Sequence, residues 1–399
     1  MARDQSILFL SDSNRYLQHD LYCQIAKNFP ENLKSVFLAS DFKADTLHRK
    51  SEDIDRKELE DAFSKFIEMP RLLLDRRPLT NPLAKVWRYG KNLRSKQNWR
   101  KGLLCKMDDL NPSLLILTST NAENTRVISR YRPRIPKLYI QPCNFRVQQK
   151  GQYSISEKLK NFWFNRILRL PILPVKETTF DHFGKMHLAL WSPLWKNHAL
   201  ERKESSFHFT GNPTYDQCFE KFSAERAYSK TAKVWIYLNK EKNSGQKNWD
   251  VYANFYREMM RIQPDFFYGF KAHPHSNLEK IQRAFPGAKV TKELVPKEKV
   301  DIMITHWSST ALEFIAEGIP TLLVNPDGQF DFSERYLDQY EGIARSIEEI
   351  KSHFKNYQEE GSKAFLNFRS NFVKRSLISD DGKSTERVIR LIQKLSRPE

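Results

Sequence analysis

The chain has 399 residues, 40% of them hydrophobic, and its 66 Lys and Arg outnumber 48 Asp and Glu to give a net charge of +18. This length exceeds the size at which one hydrophobic core stops growing, so we expect two domains, and the excess of positive charge favours anionic partners. Four scattered cysteines (Cys23, Cys105, Cys143 and Cys218) form no CxxC pair, and no apolar stretch approaches the roughly 20 residues of a membrane span. A disulfide framework, a zinc cluster and a membrane span are thereby excluded, and we expect a cytoplasmic protein without a signal peptide.

Short apolar runs in the first half of the sequence predict parallel β-strands joined by helices. They lie at residues 6–10, 35–38, 114–118 and 137–140. Each run ends in a polar cluster: SDSN, ASD, TSTN and QPCN. Because the carboxyl ends of strands in a doubly wound sheet face the ligand crevice, we expect these clusters to line one side of a cleft.

Two basic segments interrupt this alternation. The segment from Arg71 to Lys101 carries ten Lys or Arg against the single acid Asp75, with Trp87 and Trp99 between them, and residues 158–169 (Lys158 to Arg169) combine cations with aromatic rings. Such a mixture suits the headgroup region of an anionic membrane, and it is equally typical of a solvated basic face over ordinary core residues. Nucleic-acid binding ranks lower, because no recognised nucleic-acid module accompanies the charge.

A second series of strands and helices follows residue 200. Apolar runs predict strands at residues 207–210, 233–238, 266–271, 301–305 and 321–324, and helical periodicity marks 249–262, 309–317 and a final helix near 380–395. We therefore predict an α/β protein with two domains of similar type, residues 1–200 and 201–399.

The stretch FKAHPHSN places polar side chains where a buried strand ends. Lys271 and His273 would be presented at the crevice by a rigid strand, and Pro274 prevents the strand from continuing. An imidazole there can donate a hydrogen bond to a phosphate. A histidine that only caps the strand is the alternative interpretation.

The stretch DIMITHWSSTALEFIAEGIP reads as a buried strand, a turn and a helix. Its three consecutive hydroxyl residues, Ser308, Ser309 and Thr310, stand at the predicted helix start, where free N–H groups and the helix dipole attract anions. Ordinary N-capping would explain one of these hydroxyls, whereas a run of three indicates phosphate binding. Gly211, in TGNPTYD, permits either close approach to a ligand or a sharp turn.

Together with the terminal stretch DDGKSTERVIRLI, these motifs resemble the C-terminal nucleotide-binding half of GT-B glycosyltransferases, over about residues 205–396. The His-Pro and Ser-Ser pairs are similar to those of bacterial transferases that use CMP-activated sugars, of the Kdo and sialic acid type. The resemblance implies a GT-B fold, with two Rossmann-like domains facing a central cleft and a C-terminal helix packing back across. It also implies phosphate-binding roles for His273, Ser308 and Ser309, and no metal cofactor.

The activity implied is transfer of a sugar from a CMP-sugar to a lipid-linked acceptor of a bacterial surface glycan, in the capsule or lipopolysaccharide. The basic segments would hold such an enzyme at the inner face of the membrane. Two activities on related scaffolds remain open, a UDP-sugar 2-epimerase and a CDP-glycerol glycerophosphotransferase. A non-catalytic protein that binds an anionic polymer is a further alternative, and it predicts salt-sensitive binding without turnover.

Four positions are candidates for the catalytic site, and three of them carry a carboxylate that could act as acid, base or nucleophile. Asp12, after the first strand, could act as a base, and a turn or cap role is its alternative. Asn239 occupies the first polar position after the strand KVWIYL, where retaining Kdo transferases are expected to carry a carboxylate. An amide cannot serve as the nucleophile, so Glu241 is the nearest candidate. Glu157 is a further candidate acid or base, with a surface salt bridge as the alternative.

Overall fold

A computed structural model of the chain divides into two compact α/β units. It describes residues 5–11, 16–39, 56–69, 81–118, 131–132, 134–141, 186–198, 206–222, 230–238, 249–273, 276–306, 310–328 and 340–397. Unit 1 contains the described residues up to Thr214 and again from Ser384 onward, and unit 2 extends from Tyr215 to Lys383.

Unit 1 is built on a seven-stranded sheet in the order β3-β2-β1-β4-β5-β6-β7, with every neighbouring pair parallel. The strands are β1 Gln5–Ser11, β2 Leu33–Ala39, β3 Lys65–Glu68, β4 Leu114–Leu117, β5 Lys137–Ile140, β6 His187–Leu190 and β7 Ser206–Phe209. Continuous burial along β4 and β5 explains why their sequences, LLIL and KLYI, show no alternation of polar and apolar residues.

Unit 2 is built on a six-stranded parallel sheet in the order β10-β9-β8-β11-β12-β13. Its strands are β8 Lys233–Tyr237, β9 Phe267–Lys271, β10 Lys289–Thr291, β11 Ile302–Thr305, β12 Thr321–Val324 and β13 Ile343–Ala344. The four strands β8, β9, β11 and β12 were predicted from their apolar runs and are confirmed.

Helices connect the strands in both units. In the described residues they are α1 Tyr16–Lys27, α2 Arg56–Ala62, α3 Pro82–Leu110, α4 Asp216–Glu220, α5 Trp249–Ile262, α6 Leu278–Ala284, α7 Thr310–Ala316, α8 Ile347–Glu360, α9 Leu366–Ser376 and α10 Ser384–Ser396. Short 3₁₀ helices occur at Pro193–His198, Pro213–Tyr215, Lys297–Lys299 and Gly361–Phe365. No helix in the described part of the chain is long and apolar enough to cross a bilayer.

Helix α10 completes the core of unit 1. Its buried residues Val388, Leu391 and Ile392 belong to the same hydrophobic cluster as Phe9 of β1 and Tyr22 of α1. The spacing of three and four residues places the apolar side chains of α10 on one face, which explains why this final amphipathic helix was predictable from the sequence. The C-terminal end of the chain is therefore part of the first unit.

The division between the units lies between Thr214 and Tyr215 rather than near residue 200. Strand β7, expected to begin the second domain, pairs in parallel with β6 and is an edge strand of the first sheet. The Gln24 side chain of α1 donates to the carbonyl oxygen of Pro213 (2.6 Å) and to the Thr385 hydroxyl (3.1 Å). Gln24 thus links the segment where the chain leaves unit 1, at Pro213, to the segment where it returns, at Thr385.

Candidate functional site

The strand order defines one switch point in each sheet. In unit 2 the chain runs from β8 outward through β9 and β10, then crosses to β11 and continues through β12 and β13 on the other side. In unit 1 the corresponding change of direction lies between β1 and β4. Ligands of doubly wound sheets bind outside the carboxyl ends of the strands that flank such a point. In unit 2 that position is the carboxyl edge shared by β8 and β11.

The register of the strands brings the ends of β9 and β11 to this edge. Thr305 of β11 pairs with Tyr237 of β8, which pairs in turn with Lys271 of β9. The buried hydroxyl of Thr305 also donates to the carbonyl oxygen of Tyr237 (2.8 Å). Strands in a sheet are about 4.8 Å apart, so the backbones of β9 and β11 emerge about 10 Å from each other. His273 and the hydroxyl-rich segment after β11 therefore start from the same edge of one sheet.

A buried histidine, His306, ends β11 at this edge. Its Nδ1 atom lies 2.6 Å from the hydroxyl oxygen of Tyr252 on α5 and 3.0 Å from the carbonyl oxygen of Val324 at the end of β12. The Tyr252 hydroxyl lies 3.1 Å from Oδ1 of Asp327. The network joins a helix, two strand ends and the loop after β12.

The direction of these hydrogen bonds follows from chemistry. The Val324 carbonyl can only accept, so Nδ1 of His306 carries the proton and shares it with the Tyr252 oxygen. Burial, together with the charge of Asp327, raises the pKa of Tyr252 well above its usual value. The phenol therefore keeps its proton and donates it to the Asp327 carboxylate, which makes the network fully directed.

Lys271 and His273 occupy the positions predicted for them at the end of β9. Lys271 is buried, with its Nζ atom donating to the carbonyl oxygen of Ala272 (3.2 Å), and His273 is half-buried. The carbonyl of His273 accepts from the amide of Ser276 (2.8 Å), which closes a turn directly after the strand. The turn leads into α6, where the Asn277 side chain caps the helix by accepting from the Lys280 amide. The His273 side chain is thus placed by structured elements on both sides.

Thr310 is the first residue of α7 and is half-buried. Its neighbours Ser308 and Ser309 lie outside the described residues, as does Pro274. The candidate catalytic positions fall there too: Asp12, Glu157, Asn239 and Glu241. Their proposed roles remain predictions.

An ion-pair cluster fixes α7 in unit 2. The Lys297 ammonium lies 2.6 Å from the carboxylate of Glu317 and 3.3 Å from that of Glu313. Burial alone would lower the pKa of Lys297, but Cys218 and the two carboxylates raise it overall, so the ammonium stays charged. Burial raises the pKa of the neighbouring Cys218 thiol to about 12, which argues against a nucleophilic role for this cysteine. The cluster holds the helix that begins at Thr310.

Gly211 lies in the other unit. It follows β7 with a φ of +77°, a left-handed conformation that glycine adopts without strain, and it is buried. Directly after it, the Asn212 side chain accepts hydrogen bonds from the amide and the hydroxyl of Thr214. This geometry supports the sharp turn, one of the two roles the sequence left open for Gly211, at the point where the chain leaves unit 1.

Polar side chains end strands of unit 1. Thr118 and Gln141 follow β4 and β5, as the sequence predicted, and Ser192 follows β6, which the sequence did not predict; all three are buried. The side-chain oxygen of Gln141 accepts a hydrogen bond from the main-chain amide of Trp191 (3.1 Å). The main-chain carbonyl of Gln141 accepts one from the Trp191 indole (2.8 Å). The carboxyl edge of the first sheet is therefore polar but tightly packed in its described part.

The network around His306 was not predicted. The signal was present in THWSS, because a histidine ends an apolar strand there just as His273 does. The other members of the network could not be inferred from the sequence. Tyr252 lies 54 residues from His306, and Asp327 lies 75 residues from Tyr252. In the described ranges, no group of three or more His, Cys, Asp or Glu side chains is arranged to hold a metal ion.

Comparison with known proteins shows the fold. No family model matches the sequence, and no curated protein matches it. Among solved structures, a UDP-N-acetylglucosamine 2-epimerase has a TM-score of 0.59 at 12% identity, covering 100% of this chain and 98% of that one. The Methanocaldococcus jannaschii UDP-GlcNAc 2-epimerase, in complex with UDP-GlcNAc and UDP, has a TM-score of 0.54 at 12% identity and covers 98% and 99%.

The glycotransferase of kitacinnamycin is similar to the same degree, with a TM-score of 0.58 at 13% identity over 99% of this chain and 100% of that one. At such low identity, these likenesses speak to architecture rather than to chemistry. The chain has the GT-B fold: two Rossmann-like units, each with a parallel sheet and connecting helices. The fold class predicted from the sequence is confirmed.

Proposed function

We propose that this protein is a nucleotide-sugar enzyme in which unit 2 binds the nucleotide at the carboxyl edge of β8 and β11. The observation that carries the proposal is the directed network of His306, Tyr252 and Asp327 at the switch point of the second sheet. It fixes the strand end from which the segment Trp307–Ser309 departs. We assign His306 a positioning role, because its imidazole is buried and engaged by the protein.

The phosphate groups would be bound by donors that start from this edge. His273 and the hydroxyls of Ser308 and Ser309 donate hydrogen bonds to phosphate oxygens, as the resemblance to CMP-sugar transferases implies. Thr310, at the start of α7, and the Lys271 ammonium add a hydroxyl donor and a positive charge. Because these donors can offset the charge of a leaving phosphate, we propose that the enzyme needs no metal ion.

The first candidate activity is epimerisation of a UDP-sugar. It is supported by the similarity of fold to UDP-GlcNAc 2-epimerases over almost the whole length of both chains. An epimerase acts on its nucleotide sugar without an acceptor. In this case Asp12, Glu157 and Glu241 are the carboxylates to test as acid and base.

The second candidate activity is sugar transfer from a CMP-sugar of the Kdo or sialic acid type to a glycan acceptor. It is favoured by the His-Pro pair at residues 273–274 and the Ser-Ser pair at residues 308–309. The similarity to the glycotransferase of kitacinnamycin is compatible with it. A transferase would need an acceptor for turnover, and in this reaction class a lipid-linked glycan is the acceptor that we propose.

The deciding experiment is a thermal-shift series with CMP, UDP, CDP, GDP and ADP. A nucleotide that binds only the folded protein raises its melting temperature. At a nucleotide concentration about a hundred times Kd, the free energy of unfolding increases by about 2.7 kcal/mol. A shift with UDP supports the epimerase, which is then tested by interconversion of a UDP-sugar with its C2 epimer. A shift with CMP supports the transferase. A shift with CDP alone would indicate the glycerophosphotransferase, and no shift with any nucleotide would contradict the proposal and favour the polymer-binding alternative.

The matched control lies four residues away. His273→Ala is expected to abolish the nucleotide-induced shift while the protein remains folded. Asn277→Ala instead removes the N-cap of α6, which should decrease the free energy of unfolding by about 1 kcal/mol and so lower the melting temperature of the free protein. The nucleotide-induced shift should be preserved in this variant. An unimpaired nucleotide response in His273→Ala would remove this histidine from the site.

A further inference from the structure

Helix α3 carries an exposed basic stripe that the candidate site does not use. The stripe, defined by Trp87, Lys91, Arg94 and Lys101, repeats at intervals of four, three and seven residues, so its side chains follow one face of the helix. All four residues are exposed, and Trp87 is 69% exposed. At 1.5 Å per residue, the stripe is about 21 Å long.

The opposite face of the same helix packs on unit 1. Leu103 and Met107 are fully buried, and Trp99 is half-buried. A Cβ added at Gly102 would lie 3.8 Å from the methyl carbon of Met69, which is ordinary van der Waals contact. Among the side chains of α3 that the structure describes, the buried ones lie on the face opposite the basic stripe.

The charge of the stripe is unbalanced along the helix itself. No acidic residue occurs in the helix before Asp108 and Asp109, at its C-terminal end. The Lys91 ammonium lies 5.5 Å from the centroid of the Trp87 ring, an arrangement that keeps the indole and a cation side by side at the surface. Indole rings and basic side chains are together favoured at the headgroup level of membranes that contain anionic lipids.

We propose that the basic stripe of α3 docks the protein on an anionic phospholipid surface. The cations would contact lipid phosphates and Trp87 would insert among the headgroups. A nucleic acid would satisfy the same charges, but a strand that binds through stacking needs successive aromatic platforms, and Trp87 is the single aromatic residue of the stripe. The docking requires nothing of the nucleotide site, so the two proposals succeed or fail separately.

The test is flotation of the full-length protein with phosphatidylcholine vesicles, with or without phosphatidylglycerol. We expect binding only to the anionic vesicles, weakened by salt. Each basic side chain near an anionic surface contributes about fivefold to partitioning, so the triple variant Lys91→Glu, Arg94→Glu, Lys101→Glu should bind at least on the order of a hundredfold more weakly. The control reverses three exposed lysines of α8 and α9: Lys351→Glu, Lys355→Glu and Lys374→Glu.

The control triple variant changes the net charge equally and is expected to retain most of the vesicle binding. Equal losses in the two triple variants would show that total charge rather than the stripe is responsible, and would overturn the proposal. An absence of binding to anionic vesicles would overturn it as well. The proposal would also be overturned if the protein bound a single-stranded oligonucleotide but not vesicles, and if the stripe triple variant lost that oligonucleotide binding.

Trp87 provides a readout that does not depend on multiple substitutions. Its emission should shift to shorter wavelength on addition of anionic vesicles and not of phosphatidylcholine vesicles, and Trp87→Phe should remove that spectral change. Because the side chain is mostly exposed, this variant should fold normally even if the triple variant does not. A spectral change that persists in Trp87→Phe would contradict insertion of this residue.

Discussion

The hydroxyl oxygen of Tyr252 lies 2.6 Å from Nδ1 of His306, in the buried interior of unit 2. The rings also meet edge to face, with centroids 4.9 Å apart. A helix and a strand end are thus joined by both a hydrogen bond and an aromatic contact. This pair fixes His306, the last described residue before the proposed phosphate-binding segment.

Removal of the Tyr252 hydroxyl should weaken nucleotide binding. Tyr252→Phe keeps the ring but leaves the Asp327 carboxylate without this donor, at a cost of about 1–3 kcal/mol of stability. Titration with the nucleotide identified above should show a higher Kd. Tyr268→Phe is the control, because its buried hydroxyl bonds to the carbonyl of Gln263 (3.0 Å), away from the carboxyl edge. The control should lose stability but not nucleotide affinity, and equal Kd values in the two variants would contradict the positioning role.

Gly269 should not tolerate a side chain. A Cβ at this position of β9 would lie 2.6 Å from the Trp235 ring, closer than packed atoms allow. Since Trp235 is buried and its ring contacts Phe267, we expect Gly269→Ala to cost about 1–3 kcal/mol in urea unfolding. An unchanged unfolding midpoint would mean that the indole can move aside without loss.

Gly90 should respond in the opposite direction to the same substitution. It lies within α3, where an added Cβ would meet nothing within 4 Å. Alanine restricts the unfolded chain and favours the helix, so Gly90→Ala should stabilise unit 1 by about 0.4–1 kcal/mol. The melting temperatures of Gly90→Ala and Gly269→Ala, measured together, test this contrast: the first should rise above that of the wild type and the second should fall below it.

Lys297 should be important for the stability of unit 2. Lys297→Met removes the cation from between Glu313 and Glu317, whose carboxylates would remain in an environment where burial already raises the pKa of Glu313. Because the cluster is partly open to solvent, we expect a loss of about 2 kcal/mol, below the range for fully buried pairs. Lys299→Met is the control, since this neighbouring lysine is exposed. Equal unfolding midpoints for Lys297→Met and Lys299→Met would show that the cluster makes no net contribution to stability.

The stability of unit 1 should fall in mild acid. Burial, followed by the charges of His187 and Lys394, lowers the pKa of His208 below its ordinary 6.5, and its Nε2 lies 3.2 Å from Nδ1 of His187. Below about pH 6.5 the unfolded chain therefore binds more protons at this residue than the folded chain, and stability declines as pH falls toward the folded pKa. His208→Asn should flatten the dependence of melting temperature on pH between about 7.5 and 5.5. Parallel curves for wild type and variant would contradict this assignment.

The sequence was informative where apolar side chains form uninterrupted runs. β4 and β11 were predictable because all their residues are buried, whereas β3 and β13 are short strands at sheet edges with little pattern. The sequence of α3 shows a basic segment rather than a helical pattern, because its half-buried positions include Arg88 and Asn92 and obscure the helical period. Strand β7 was predicted, but its sheet was not, because parallel pairing is decided by tertiary structure.

The candidate site was predictable in the same limited way. Polar residues after buried strands pointed to the carboxyl edge of the sheet, and His273 and Lys271 lie there. The register that brings them near His306 depends on β8 lying between β9 and β11, and no local pattern encodes that order. Long-range hydrogen bonds such as that from Tyr252 to Asp327 were inaccessible for the same reason.

The placement of α10 in the core of unit 1 has a consequence for biosynthesis. Val388, Leu391 and Ile392 leave the ribosome only after all of unit 2 has been synthesised, so the first unit cannot complete its hydrophobic core during translation. Unit 2, which is continuous from Tyr215 to Lys383 in its described part, can close earlier. Loss of α10 would therefore damage the half of the protein that is translated first.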